Sequence, residues 1–356
     1  MMVEASPGDS GPRLRALDAL RGIAAMAVVV FHYSIGFDGP DYFPGYEKAL
    51  FAFGGGRYGV SLFFMISGFV ILWSLERVRH VGEFAYSRFS RLFPPYWGSM
   101  LIVSAYILFA EQVLDAGIDD KLGFTWQQWL ANLTMVPTWF GQPELDGAYW
   151  TLSVEMTFYL VVGVLYMLGL TKPNRIVWTL LGAWVLDVGL GSLAVLASGE
   201  SLSTIDDFMY LFIAGMALFT LFQRPQQHRW IKLFLVFSVP LVDLSRSVDT
   251  AVVVGAAIVV TMYLAVFGHL RVLESKPLLW LGSISYSIYL VHAYPGYITI
   301  KLLLDAGWNR NLAILVAIAQ TMVLAIGLNK LVEKPVTRWL RARRKRGVMQ
   351  ASVASA

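Results

Sequence analysis

The chain has 356 residues, of which 57% are hydrophobic and only 15% are charged, and its formal net charge is +4. A soluble domain carries about 25% charged residues, so the composition excludes an ordinary soluble protein and indicates a membrane protein. Cysteine is absent from the sequence, which excludes disulfides, thiolate metal sites and an acyl-cysteine intermediate.

Ten apolar segments approach the ~20 residues that cross a bilayer. We therefore predict an all-α, polytopic membrane protein with about ten transmembrane helices. The predicted segments are 15–36, 58–75, 92–110, 148–170, 176–197, 207–222, 230–244, 250–268, 278–302 and 311–333.

The distribution of positive charge predicts the orientation of these segments. With a cytoplasmic N-terminus, 22 of the 28 lysines and arginines fall on the cytoplasmic side, as the positive-inside rule requires. Both termini are thus predicted to be cytoplasmic. The net charge then reflects topology, and we expect no nucleic-acid partner.

Three regions follow from this topology. Residues 1–12 form a polar cytoplasmic N-terminus without the features of a cleavable signal peptide. Residues 13–340 form the membrane domain, and residues 341–356 form a basic cytoplasmic tail. The basic cluster in the tail is typical of an anchor beside anionic lipid.

The first segment carries Arg21 and His32 within one apolar run. Eleven steps of about 100° return to nearly the same direction, so both side chains share one helix face. They stand roughly 16 Å apart along the axis. Ionisable residues in a membrane usually mark a functional site, so this face predicts anion binding at one depth and proton chemistry at another.

Two further titratable residues are predicted in the layer of His32. Glu155 follows the start of the fourth segment, and His292 lies towards the same side of the ninth. A carboxylate near an imidazole orients it and stabilises its charged form, which is how a general base is built. The alternative is structural: His32 is hydrogen-bonded between helices, and Glu155 pairs with a neighbouring helix.

Arg88 and Arg91 follow the second segment on the cytoplasmic side and would share a face if they lie on a helix. Two guanidinium groups suit bidentate binding of phosphate. Asp18, three residues before Arg21, is placed to orient it. The alternative is that the two arginines only enforce the positive-inside rule.

Six motifs in order resemble the bacterial membrane O-acyltransferases of the acyltransferase-three family, over about residues 13–340. They are Leu17-Asp-Ala-Leu-Arg-Gly through His32, Gly59-Val-Ser-Leu-Phe-Phe-Met-Ile-Ser-Gly68, Arg88-Phe-Ser-Arg-Leu-Phe-Pro-Pro-Tyr96, Trp150-Thr-Leu-Ser-Val-Glu155 with Phe158-Tyr159, Ser283-Ile-Ser-Tyr-Ser-Ile-Tyr-Leu-Val-His292, and Glu333-Lys-Pro335.

The resemblance implies transfer of an acyl group, usually acetyl, from cytoplasmic acyl-CoA to a hydroxyl of an extracytoplasmic or lipid-linked glycan. It implies a catalytic role for His32, with Glu155 beside it, and binding of the donor by Arg21, Arg88 and Arg91. The expected supporting residues are Asp18, Ser67, Tyr159 and His292.

The resemblance also implies a place and partners for the protein. We expect it in the bacterial inner membrane, with acyl-CoA as a co-substrate and neither a bound cofactor nor a metal. Some relatives carry an extra extracytoplasmic domain, which we do not expect here. Either the protein transfers directly or a separate extracytoplasmic transferase completes the reaction. The sequence leaves open whether His32 is a general base or carries the acyl group itself.

Two other classes of function stay open at this stage. A membrane glycosyltransferase or glycan polymerase would use acids in the first external loop, where Asp38 and Asp41 occur. A secondary transporter would also bury charges, but many transporters show internal repeats and midplane helix breaks. Acyl-CoA-dependent modification by the purified protein separates the acyltransferase from both.

Overall fold

The computed structural model describes residues 14–36, 49–50, 52–113, 123–172, 175–183, 185, 208–223 and 248–354. A helical stretch covers 175–183, and the named helices are α1 Arg15–Ser34, α2 Gly59–Leu75, α3 Val81–Val113, α4 Trp126–Asn132, α5 Trp150–Met167, α6 Met209–Gln223, α7 Val248–Val266, α8 Lys276–Val291, α9 Ala293–Asp305, α10 Arg310–Leu328 and α11 Lys334–Ala354. These described residues contain no β-strand, which confirms the all-α prediction.

Five helical segments are long and apolar enough to cross a membrane, as a membrane protein requires. They are Arg15–Ser34, Gly54–Leu75, Val81–Gln112, Trp150–Met167 and Arg310–Arg344, and α6 and Val253–Val266 are shorter apolar helices. The predicted seventh segment, 230–244, and residues 186–197 of the fifth lie outside the described residues. Ten spans and cytoplasmic termini therefore stay predictions.

Glycines bring two pairs of helices into close contact. A side chain at Gly282 in α8 would overlap the backbone carbonyl of Asp18 in α1, and Gly22 faces Gly282 in the same crossing. Gly68 in α2 and Gly215 in α6 likewise press against the opposing backbone. Small residues at membrane helix crossings let the two backbones approach closely. Close packing of this kind holds helices together in lipid, which provides no hydrophobic force between them.

The third helix is longer than the predicted segment 92–110, since it begins at Val81 and ends at Val113. Hydropathy detects only the apolar part of a helix, and the first turns of α3 are polar and basic. Arg88 and Arg91 thus lie on one helix, the condition under which their spacing places them on one face. Pro94 within α3 cannot donate to the carbonyl of Ser90, and the Thr337 hydroxyl donates to that carbonyl instead, at 3.1 Å.

The ninth predicted segment, 278–302, is two helices and not one. The break falls at His292, between α8 and α9. Pro295 has no N–H to give to the carbonyl of Val291, which interrupts the ladder. Beyond the break, Gly296 lies directly against the Tyr33 side chain of α1, so the interruption places His292 beside the end of α1.

The last segment, predicted as 311–333, also continues further. After α10 the chain forms one π-helical turn, Asn329–Glu333, and then runs on as α11 to Ala354. Residue 340, the predicted border between the membrane domain and the basic tail, thus lies inside α11.

Candidate active site

His32 and His292, 260 residues apart, are in direct contact. His292 Nε2 lies 3.1 Å from His32 Nδ1, and the two ring centroids are 5.0 Å apart. His292 is fully buried, whereas His32 is half-buried at the end of α1. We call these two residues the histidine pair.

The hydrogen bonds of the pair assign a tautomer to each ring. His292 Nδ1 lies 2.7 Å from the Tyr289 carbonyl, so it carries the hydrogen, and Nε2 of the neutral ring is an acceptor. His32 Nδ1 faces this acceptor and also the Val28 carbonyl at 3.1 Å. It must donate to them, which leaves the lone pair of His32 on Nε2. That nitrogen can take a proton or attack an electrophile.

Asp146 holds the helix break next to this pair, and the sequence reasoning missed it. The residue is 1% exposed. Its Oδ1 accepts from the Ala148 N–H at 2.9 Å, and its Oδ2 accepts from the Tyr294 N–H at 3.0 Å. Because Tyr294 lies in the first turn of α9, the carboxylate caps the helix that starts after His292. Neither periodicity nor a motif marked this loop acid.

Three further hydrogen bonds join the same segment to the end of α8. The Tyr149 hydroxyl donates to the Leu290 carbonyl at 3.2 Å, and the Tyr289 hydroxyl donates to the Ala148 carbonyl at 3.0 Å. The hydroxyls of Thr151 and Tyr289 lie 2.6 Å apart. The start of α5 thus fixes the position of the buried histidine.

We expect Asp146→Asn to destabilise the protein and to change how its stability depends on pH. The amide nitrogen would face a backbone N–H, and a buried donor left without a partner costs about 1–3 kcal/mol. Burial raises the pKa of Asp146 from 3.8 to about 6. Because the folded-state pKa is raised, the protonated Asp146 carboxyl group stabilises the folded protein at low pH. This stabilisation is lost as pH rises, by up to about 3 kcal/mol between about pH 4 and pH 6.

Melting temperatures of the detergent-solubilised protein across this pH range test the prediction. The wild type should lose stability relative to the Asn variant as pH rises from about 4 to 6. Glu144→Gln, in the same loop, is the control and should run parallel to the wild type. If the melting temperatures of wild type and Asp146→Asn change in parallel with pH, the Asp146 carboxyl group does not titrate in this range.

A cavity lies between α1, α2, α3, α5 and α8. Its polar lining combines the three arginines predicted to bind the donor with Glu155 and with two hydroxyl groups that the motifs had marked. These residues are Arg21, Arg88, Arg91, Glu155, Ser67 and Tyr159. We call it the arginine cavity.

Positive charge exceeds negative charge in the arginine cavity, since three guanidinium groups face one carboxylate. Arg88 is 8% exposed, and its guanidinium carbon lies 5.6 Å from the ring centroids of both Phe84 and Tyr159. Its Nε is buried without a hydrogen-bond partner in the described part of the chain, while Nη2 donates to Ser74. Such a cavity suits an anionic ligand.

Glu155 lies among these arginines and not beside His32, which corrects its predicted position. The hydroxyls of Ser67, at 2.7 Å, and of Tyr159 donate to its Oε1, and its charge acts on Arg21 and Arg88. Within the described ranges no hydrogen bond or electrostatic interaction joins it to His32. Sequence spacing along two helices does not fix their relative rotation, and here the Glu155 side chain faces the arginine cavity.

We expect Glu155→Gln to slow turnover without weakening the binding of an anionic donor. Glutamine still accepts from both hydroxyls, but the cavity loses its negative charge, so coenzyme A should bind as tightly as in the wild type or more tightly. Tighter retention of an anionic product lowers kcat when product release limits the rate.

The measurement pairs kcat with the Kd of coenzyme A, obtained by calorimetry. The exposed Glu76, outside the cavity, provides the matched control Glu76→Gln, which should change neither value. Weaker coenzyme A binding by Glu155→Gln would show that the carboxylate contacts the ligand or maintains the cavity.

A second cavity adjoins the arginine cavity and shares Arg21, Arg91 and Tyr286 with it. Asp18 and Glu333 also line it. Asp18 acts electrostatically on Arg21, and its supporting role stays a prediction. The cavity extends to Leu14, before the start of α1, so the two cavities adjoin along the first turns of that helix.

Glu333 is held in the second cavity by the π-helical turn. Ser287 and the Asn329 amide donate to its Oε2, both at 2.7 Å. π-Helical turns in long helices are frequent at functional sites, and this one places a carboxylate from the motif that closes the last segment in the lining of the second cavity.

Tyr289 links the cavities to the histidine pair. It lines the arginine cavity, and its ring centroid lies 5.4 Å from that of His292. His32 lines neither cavity. Tyr289 thus lies between contacts of the arginine cavity and of His292, and its hydroxyl is hydrogen-bonded to Thr151.

The described residues form an all-helical domain with five candidate membrane spans, a buried histidine pair and a cavity lined by three arginines. The chain belongs to the acyltransferase-three family, because the profile of that acyltransferase domain matches residues 14–330. The protein is therefore an acyltransferase that transfers groups other than aminoacyl groups, and the resemblance seen in the motifs is confirmed.

Three relatives illustrate the range of the family. The exopolysaccharide production protein ExoZ of Rhizobium meliloti is 29% identical over 330 residues, which cover 84% of this chain and 95% of ExoZ. The peptidoglycan O-acetyltransferase OatA of Listeria monocytogenes is 23% identical over 368 residues, 91% of this chain and 56% of OatA. The acyltransferase MdmB of Streptomyces mycarofaciens is 31% identical over 171 residues, 47% of this chain and 42% of MdmB. No solved structure matches the chain.

Proposed function

We propose that the protein is a membrane O-acyltransferase of the bacterial inner membrane. It moves an acyl group, typically acetyl, from acyl-CoA on the cytoplasmic side to a hydroxyl of an extracytoplasmic or lipid-linked glycan. The observation that carries the proposal lies on α1. This one helix holds Arg21 in the arginine cavity and, roughly 16 Å further along its axis, a histidine whose Nε2 has no hydrogen-bond partner among the described residues.

The arginine cavity is the proposed donor site. Coenzyme A carries several phosphate groups, and guanidinium groups bind phosphate bidentately. The positive-inside rule puts this end of α1 in the cytoplasm, where acyl-CoA is made. The pantetheine arm is a long unbranched chain and would extend past Tyr289 towards the histidine pair.

His32 is the proposed catalytic residue. In direct transfer, the acceptor hydroxyl gives its proton to Nε2 while its oxygen attacks the thioester carbonyl. The C–S bond breaks, and the leaving thiolate of coenzyme A takes up the proton. The Nδ1–H of His32 stays hydrogen-bonded to His292 and Val28, which stabilises the imidazolium that forms.

In the second route, Nε2 itself attacks the thioester, coenzyme A leaves, and the acyl-histidine then passes its acyl group to the acceptor. The routes are distinguished without an acceptor. An acyl-histidine releases one equivalent of coenzyme A per protein and leaves an acylated His32 peptide, whereas direct transfer releases none.

The glycan acceptor is supported by the relatives, since OatA is named for peptidoglycan and ExoZ for exopolysaccharide. The rival glycosyltransferase rests on Asp38 and Asp41, which lie outside the described residues. No geometric observation favours the transporter.

Reconstitution tests the function. Purified protein in vesicles is given labelled acetyl-CoA and a panel of bacterial envelope glycans, without any lipid-linked sugar donor. We expect label in a glycan with an equal amount of free thiol. Modification that needs a sugar donor, or transport without release of thiol, would overturn the proposal. Mass spectrometry of envelope glycans from a deletion strain then identifies the acceptor, and a need for added envelope extract would reveal a separate transferase.

Replacement of Arg88 or Arg91 by glutamine is expected to raise the Kd of coenzyme A roughly ten- to a hundredfold, because a charge-assisted hydrogen bond contributes about 1.5–3 kcal/mol. Lysine should restore binding only partly, since it keeps the charge but loses the planar fork.

Calorimetric titration of coenzyme A into the solubilised variants measures this effect. Arg79 is an exposed arginine outside both cavities, so Arg79→Gln should bind normally. If the double lysine variant of Arg88 and Arg91 binds coenzyme A as the wild type does, the two residues only set topology.

A further inference from the structure

A second arginine site lies at the opposite end of α1, next to His32. Arg57 belongs to the 3₁₀ turn Gly54–Tyr58 that precedes α2. Its guanidinium carbon lies 6.0 Å from the ring centroid of Phe31, and the Phe31 centroid lies 5.2 Å from that of His32. One aromatic ring therefore separates a permanent cation from the candidate catalytic imidazole.

Close packing fixes the backbone of this turn. A side chain at Gly56 would overlap the Ala27 carbonyl and come within 2.8 Å of the Phe31 Cβ, so the turn rests directly on α1. The Arg57 guanidinium also lies 5.5 Å from the ring centroid of Tyr58. The cation is thus held against two aromatic rings beside α1, although neither ring neutralises its charge.

Two polar atoms of this site are buried without a partner in the described part of the chain. Arg57 Nε and the Tyr58 hydroxyl are buried atoms without a hydrogen-bond partner among the described residues. In the same part of the chain no carboxylate forms a salt bridge with Arg57. Buried polar groups are nearly always hydrogen-bonded, and an exception calls for a specific explanation. A ligand that accepts hydrogen bonds and carries negative charge would supply the missing partner.

A second arginine lies at this end of α1, and the site is accessible. Arg310, 5% exposed, donates from Nη2 to the Ser34 carbonyl at 3.4 Å, two residues beyond His32. Arg57 itself is half-buried, so part of its side chain remains accessible at this end of the bundle. The guanidinium fork matches the two oxygens of a carboxylate or phosphate.

We propose that Arg57, with Tyr58, binds an anionic group of the acceptor, a carboxylate or a phosphate, and so places a neighbouring hydroxyl at His32. The acceptor would then be an acidic glycan or a glycan phosphate rather than a neutral sugar. The identity of the ligand as acceptor rests on the proposed function, but the anion site itself does not.

Binding and transfer are measured separately with three probes: methyl glucuronoside, glucose 1-phosphate and neutral methyl glucoside. We expect the wild type to bind at least one anionic probe at least about tenfold more tightly than the neutral one. Arg57→Gln should remove this preference, Arg57→Lys should keep part of it, and Tyr58→Phe should weaken it. Preference for the glucuronoside or for the phosphate identifies the source of the anion.

Lys301→Gln is the matched control, because Lys301 is a cation on the same predicted side that already pairs with Asp305. It should leave probe binding unchanged, and coenzyme A binding should be unchanged in all variants. Equal binding of charged and neutral probes by the wild type, or an anion preference that survives in Arg57→Gln, overturns the proposal. An Arg57-dependent preference without transfer of acetyl to any glycan supports the anion site and contradicts the proposed function instead.

Discussion

Replacement of His32 by alanine is expected to reduce acyl transfer by at least about 10²–10⁴-fold, the usual contribution of general acid–base catalysis. The substitution removes the Nε2 lone pair, which is available because Nδ1 makes the hydrogen bonds to Val28 and His292. Because His32 lines neither cavity, the Kd of coenzyme A should be unchanged. The side chain is half-buried at the end of α1, so the melting temperature should change little.

Two variants make this result specific. His269 is exposed after the end of α7, so His269→Ala should transfer normally. In His292→Ala the Val28 carbonyl still accepts from His32 Nδ1, so the tautomer is kept and the loss of activity should be smaller than for His32→Ala. Normal transfer by His32→Ala would refute the assignment of this residue as base or acyl carrier.

Replacement of Gly282 by alanine is expected to separate α1 from α8 and to abolish activity together with donor binding. The new methyl group would overlap the backbone carbonyl of Asp18, and a backbone cannot rotate away as a side chain can. Overpacking costs typically 1–3 kcal/mol, and we expect about 3 kcal/mol or more here. The same crossing holds Arg21 in its cavity and aligns the histidine pair, so both functions should fail at once.

Gly327→Ala in α10 is the matched control, because a Cβ there meets no atom within 4 Å. The same substitution in a helix with free space should stabilise the protein by about 0.5–1 kcal/mol. Melting temperature and coenzyme A titration of both variants measure the contrast. A Gly282→Ala variant that melts and binds like the wild type would show that the crossing is looser than the structure indicates.

The sequence alone determined the features that depend on one helix or on one ordered set of motifs. Membrane class follows from composition, because apolar segments of sufficient length have no other stable environment. The helical repeat places Arg21 and His32 on one face of their helix. It does the same for Arg88 and Arg91. Motif order was sufficient to identify the acyltransferase family. The donor site at the arginines was predicted in the same way, although its ligand still awaits the binding experiments.

Only the tertiary structure decided which side chains from different helices meet. Hydropathy gives the depth of a residue but not the rotation of its helix, so Glu155 was expected beside His32 and lies with Arg21. His292 reaches His32 because α8 ends there, and the cap from Asp146 that holds this end comes from a loop without any periodic signal. These contacts join residues more than a hundred positions apart, and no local pattern encodes their distance.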